Sequence, residues 1–160
     1  MKQTKQERER SEIATKTISE LETGEIDPNY IGILQIPHLE LNLPVQSSYS
    51  QQALDLAPCL YSNKEGHIII CAHNANDHFG HLDQLVFGDL IYLETEENRY
   101  RYEVEKIEQL QPTEIDRMVD TDYALTLFTC TYLGKERVTI RARLCGVVEK
   151  EQIPQKGVEI

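Results

Sequence analysis

The sequence predicts a mainly β protein, a closed or nearly closed barrel with short helices in its loops. Three observations carry that prediction. Short apolar runs recur along the chain and are rich in Ile, Val, Leu and Tyr. Pro, Gly, Asn and Asp punctuate them at close intervals. Only one segment, at the N-terminus, has clear helical spacing. Many short strands with little helix between them leave sheet closure as the simplest way to protect their edges.

Taken in order, residues 1–24 are polar and charged, with Ile13, Ile18 and Leu21 at loose helical spacing, and predict an amphipathic helix ending near Gly24. A mobile arm, or the tail of a lost anchor, is the plainer reading of the same residues. Residues 31–36 form a short strand that Pro37 stops. Residues 41–45 form another, whose Pro44 suggests an edge or a bulge. Residues 50–57 fit one or two helical turns. Residues 66–73 read as a buried Ile-rich strand, and residues 78–85 as a short helix before a turn at Gly88-Asp89. Residues 90–94 and 99–110 predict a hairpin about Glu96-Glu97-Asn98. The alternation of Tyr100, Tyr102 and Val104 slips phase toward Ile107 and Leu110, which places a bulge near Glu105-Lys106. Residues 112–118 fit a helical turn, and two long strands, 124–130 and 137–148, close the fold. The expected organisation is a helical arm over 1–24, one barrel domain over 25–148 and a loose tail over 149–160.

Composition bounds the function. The chain has 160 residues and a net charge of -11, which argues against binding nucleic acid or an anionic lipid surface. No apolar run approaches the roughly 20 residues that span a bilayer, and no signal-peptide pattern is present, so the chain itself reads as soluble. Four cysteines, Cys59, Cys71, Cys130 and Cys145, permit two disulfides, but their spacing is irregular. There is no C-x-x-C pair, and Cys71-x-His73 is a weak start for a metal site, so neither metal nor cofactor is expected.

The chemistry concentrates at strand ends. Cys130 ends one strand, His73 ends another, and Arg137 opens the last. A thiolate can attack a carbonyl, an imidazolium can protonate a leaving amine, and a guanidinium can hold an oxyanion. Strand phase puts Thr126, Phe128 and Cys130 on one face and Leu125, Leu127 and Thr129 on the other. In the last strand, Val138, Ile140, Ala142 and Leu144 make the apolar face, opposite Arg137, Thr139, Arg141 and Arg143. Arg141 and Arg143 read as a solvated face paired with acidic neighbours, and Arg137 as the arginine at the mouth of the strand. A hairpin over 131–136 would bring it to Cys130. His73 could equally be a satisfied core or surface histidine. His78 and His81, three apart, are its rivals, while His38 sits in a turn and His67 starts a strand.

These residues are where the chain resembles the sortases. Thr126-Leu127-Phe128-Thr129-Cys130 is similar to the family's T-L-x-T-C strand end, with an Arg opening the next strand at Arg137 and a His ending an apolar strand at His73. Residues 33–45 resemble its opening I-P … L-P-V segment, Gly88-Asp89-Leu90-Ile91-Tyr92 its G-D-x-I-Y strand, and Gln111-Pro112-Thr113-Glu114-Ile115 its x-P-T-x-V turn. The resemblance spans residues 31–146 in order. It implies an eight-stranded barrel and a cysteine transpeptidase that cleaves an LPxTG-like sorting motif, holds the acyl chain as a thioester and passes it to an amine. The implied partners are sorting-motif-bearing surface proteins and, as acceptor, a peptidoglycan cross-bridge or a pilin lysine. A monomer is expected, at the extracellular face of the bacterial membrane if an anchor precedes this chain. By resemblance Cys130 is the nucleophile, His73 the general acid and then base, and Arg137 the oxyanion or carbonyl ligand. Ala72, Asn74, Thr129 and Thr131 bind the substrate, Thr129 by lining the motif groove and Thr131 through a backbone N–H that completes the oxyanion hole.

The chain also departs from the family pattern. Ala72 replaces the usual Gly before the His. Asn74 and the segment His78-Phe79-Gly80-His81-Leu82 resemble class B, but residues 118–123 have no room for that class's long helix. Asp27-Pro28 is a poor match for the lid of the pilin-building class. Two alternatives stay open from sequence: a non-catalytic peptide-binding barrel and a thiol hydrolase that releases its acyl group to water.

Overall fold

The structure, a computed structural model, describes residues 5–24, 27–75, 77–130 and 137–149, Cys130 by its backbone alone. The first element is the helix α1, Lys5–Thr23. Its apolar spacing places Ile18 and Leu21 against Tyr30 and Ile33 of the barrel wall. The helix stops at Gly24, whose positive φ of 81° suits a residue without a Cβ. The predicted N-terminal helix is thus present, and it is docked on the barrel rather than extended as an arm.

Eight strands follow: β1 (Tyr30–Ile36), β2 (Leu41–Gln46), β3 (Cys59–Lys64), β4 (His67–His73), β5 (Leu90–Glu94), β6 (Asn98–Leu110), β7 (Leu125–Cys130) and β8 (Arg137–Glu149). They close into a barrel in the order β1-β2-β3-β4-β7-β8-β6-β5, with β5 returning to β1. β4 and β7 run parallel and in register over their whole length, and most of the other pairings are antiparallel. β2 meets β3 at the single parallel pair Gln46↔Cys59, so β2 has the character of an edge where Pro44 lies. At Gly32, a Cβ would lie 2.1 Å from the Glu94 carbonyl oxygen, so the close approach of β1 to β5 requires glycine there.

Side-chain alternation divides the apolar residues into two layers. Ile70, Ala72, Leu125, Leu127, Ile140 and Ala142 fill the barrel. Ile69, Cys71 and Phe128 point outward into a second cluster with Leu54, Cys59, Leu110 and Met118. That outer layer is covered by a 3₁₀ turn at Ala53–Asp55 and by the short helix α2, Ile115–Val119. β4 and β7 are therefore buried on both faces, which is why they read as continuous apolar runs.

The structure departs from the sequence expectations in four places. β3 was not expected, because its exposed half, Ser62-Asn63-Lys64, is polar and a register shift at Leu60/Ser62 interrupts its alternation. Residues 78–85 form turns and a 3₁₀ turn at Leu82–Gln84 instead of a helix. The chain there must return Phe79, Leu82 and Leu85 to the barrel core within a few residues. Leu144 is exposed: β7 begins opposite Ala142, so Leu144 lies beyond the wall that would cover it. Arg141 is buried, not solvated. The predicted bulge in β6 is present, as a register shift between Val104 and Lys106.

Candidate active site

The two parallel strands position the site. In the β4–β7 ladder, His73 pairs with Cys130 at the last step. Residues paired in neighbouring strands point to the same face, and the strands are about 4.8 Å apart. His73 follows Ile69 and Cys71 in phase and so falls on the outer face, with the Cys130 backbone level with it at the C-terminal ends of the two strands. β8 runs antiparallel to β7 with Thr139 opposite Phe128, which carries the start of β8 toward the end of β7. The Arg137 guanidinium carbon lies 5.4 Å from the Phe128 ring centroid. Its Nε is buried and has no hydrogen-bond partner among the described residues. The predicted hairpin over 131–136, and with it Thr131, lies outside the described residues.

His73 is 9% exposed, and its Nε2 stands 2.9 Å from Asp55 Oδ1 on the 53–55 turn. Asp55 is a partner that sequence reasoning missed. It lies 18 positions away in a loop, and no local pattern connects it to His73. The rival His78 is 2% exposed, and its Nδ1 lacks a hydrogen-bond partner among the described residues. Burial, aided by the nearby Arg10 and His73 and opposed by Asp77, pushes its pKa down to about 4. His81 is exposed, within 3.2 Å of Gln84 Nε2. His38 pairs with Asp89 at 2.6 Å on the far loop, and His67 Nδ1 lies 3.1 Å from the Tyr123 carbonyl.

The remaining groove residues divide. Asn74 is exposed at the exit of β4. Ala72 is fully buried in the barrel core, so only its backbone can reach the outer face. Thr129 is buried too, and its hydroxyl accepts the Val138 N–H at 3.2 Å, which ties β7 to β8 next to the site. Away from Arg137, Phe128 packs edge-on against Tyr61 at 5.1 to 5.3 Å spacing that continues to Tyr49. This aromatic row leads along the outer face to a cavity of about 1050 Å³ lined by Tyr49, Tyr61, His67, Val119, Asp120 and Asp122. Such a volume admits a peptide-sized ligand. Cys71 and His73 share the outer face, but the described residues contain no cluster of three or more His, Cys, Asp or Glu able to hold a metal ion.

Residues 34–145 match the family model of the sortase domain. The chain belongs to the sortase family. Over 152 residues it is 28% identical to sortase A of Bacillus anthracis, a match covering 88% of this chain and 72% of that protein. Its fold is similar to that of the sortase D5 transpeptidase of Clostridium perfringens, with TM-score 0.70 and 21% identity, covering 87% of this chain and 99% of the other. It is also similar to that of sortase A of Listeria monocytogenes, with TM-score 0.69 and 23% identity over 82% of this chain and 94% of the other.

Sortases are cysteine transpeptidases that act on surface proteins and pilins at the cell surface. The described part of the chain contains no helix long and apolar enough to cross a membrane. His78 stays unprotonated down to about pH 4 and is enclosed.

Proposed function

We propose that this sortase cleaves an LPxTG-like sorting motif with Cys130 as nucleophile, His73 as acid and then base, and Arg137 as the ligand of the oxyanion. The Cys130 thiolate attacks the carbonyl carbon of the motif's scissile bond, and the negative charge moves to the carbonyl oxygen. The intermediate collapses with loss of the C–N bond, and the His73 imidazolium gives its proton to the departing amine. A thioester remains on Cys130. An incoming amine attacks it, His73 takes the amine's proton, and the thiolate leaves. The acceptor is a peptidoglycan cross-bridge amine or a pilin lysine. The barrel over residues 25–148 carries the whole reaction, at the extracellular face of the membrane.

The observation that carries this reading is the pairing of His73 with Cys130 at the end of two parallel strands, with Arg137 beside them over Phe128. The buried Nε of Arg137, without a hydrogen-bond partner among the described residues, is a donor that an anionic oxygen would satisfy. Tyr61 and Tyr49, which line the cavity toward the start of β4 and β7, supply apolar surface for the part of the peptide distant from the scissile bond.

The test is cleavage of a panel of quenched sorting-motif peptides with triglycine present and absent. Cleavage that disappears in Cys130→Ala, with an amine adduct formed in the presence of triglycine, is the expected result. Cleavage to free acid alone in the presence of triglycine would make the protein a thiol hydrolase. A Cys130 that is inert to alkylation, with no peptide cut, would make it a binding module.

A further inference from the structure

The strongest feature not yet used is the chain of contacts behind His73. The 53–55 turn that carries Asp55 is held from several sides. Leu54 is fully buried in the outer cluster. Gln46 Nε2 donates to the carbonyls of Ala53 and Ala57 at 2.6 and 3.0 Å. The Ala53 N–H donates to Ser50 Oγ at 2.9 Å. Arg10 of α1 adds a brace from outside. Its Nε donates to the Asp55 carbonyl at 3.0 Å and its Nη1 to Asp77 Oδ1 at 2.7 Å. Its guanidinium, with the side chain 10% exposed, thus bridges the turn before β3 and the loop after β4, the two segments that flank His73.

We infer that Asp55 is a positioning residue for His73, holding the imidazole by its Nε2–H, and that Arg10 braces the turn that presents it. This rests on the reading of His73 as the acid–base group. With Nε2–H directed to the carboxylate, proton exchange with the thiol and the amine falls to Nδ1, so the carboxylate selects both the tautomer and the ring orientation. The Asp55 side chain is 53% exposed, so solvent weakens the contact and the effect is moderate.

Among the described residues, the charged and titratable side chains gathered on this side of the ring include Asp55 on the turn, Asp77 and His78 on the loop after β4, and Arg10 on α1. His78 is uncharged at neutral pH, so it does not compete with the ring for the Asp55 carboxylate as a cation. Asp77 is paired with Arg10, which leaves Asp55 as the carboxylate in direct contact with the ring.

The experiment reads the tautomer and order of the His73 ring by imidazole nitrogen NMR on the full chain at neutral pH, in parallel with steady-state cleavage of a peptide. In Asp55→Asn, the ring signals lose their bias to Nε2–H and kcat/KM falls about tenfold, with KM nearly constant. Asp55→Glu restores part of each effect, and Arg10→Met, which removes the brace of the turn, gives a smaller loss of the same kind. An Asp55→Asn protein with unchanged His73 ring signals overturns the inference, even if its rate is reduced, because that loss would be structural. If no peptide shows Cys130-dependent cleavage in the parent chain, the functional reading fails. The ring signals still decide whether Asp55 orients His73.

Discussion

Two arginines on the same face of β8, four residues apart, have opposite surroundings. Arg141 is 3% exposed and fully engaged. Its Nε donates to Glu108 at 3.0 Å, its Nη1 to Thr126 Oγ1 and the Met118 carbonyl at 3.0 Å each, and its Nη2 to the Arg117 carbonyl at 2.6 Å. Burial alone would oppose ionisation of Glu108. The hydrogen bonds from Arg141 and Lys106 outweigh it and hold the carboxyl below the ordinary glutamate range. Arg137, by contrast, stacks over Phe128 and keeps a buried Nε without a hydrogen-bond partner among the described residues. Arg141 pins α2 and the chain that follows it onto the outer face of the sheet. Arg137 keeps a buried donor that no described group takes up. Net charge and strand phase are the same for both, so the difference lies in what the fold brings to each.

The contrast breaks most visibly at Arg141. Replacing it by Met leaves Glu108, Thr126 and the carbonyls of Arg117 and Met118 without their partner. Removing one member of a buried ion pair costs about 3–5 kcal/mol. Chemical unfolding of Arg141→Met should show a loss of that size, and a loss below about 1 kcal/mol would mean that the network is only a surface pair.

His78 sharpens the comparison with a pH axis. Its folded pKa of about 4 lies below the ordinary histidine value of 6.5. Between those two values the unfolded chain binds a proton that the native protein does not. Stability is therefore complete above about pH 6.5 and falls as pH drops toward 4, by roughly 3 kcal/mol in total. His78→Gln should flatten that part of the stability–pH curve. A curve of unchanged slope would return the acid sensitivity to other groups.

Much of the barrel was legible because its signals are local. Pro37 ends β1, Pro44 marks a strand with little pairing on one side, and the phase slip after Val104 marks the bulge in β6. The His73, Cys130 and Arg137 positions were legible as strand ends in the sequence, and the parallel register of β4 and β7 is what brings the first two level. The rest depends on long-range pairing. β3 has a polar, irregular half and gains its place only from β4. The burial of Arg141 arises because α2 folds over β8, and a periodicity argument cannot see that cover. Asp55 and Arg10 reach His73 through tertiary contacts of a turn and a docked helix whose own residues look like ordinary polar surface.

The most direct measurement is the steady-state cleavage of a sorting-motif peptide by Arg137→Lys, with its unfolding free energy measured in parallel. An ammonium keeps the charge but not the planar fork of donors. The account predicts that kcat/KM falls about a hundredfold, the effect of losing one oxyanion donor, with stability unchanged within about 0.5 kcal/mol. Near-normal turnover in that variant would contradict it, because the Arg137 guanidinium would then have no part in the reaction.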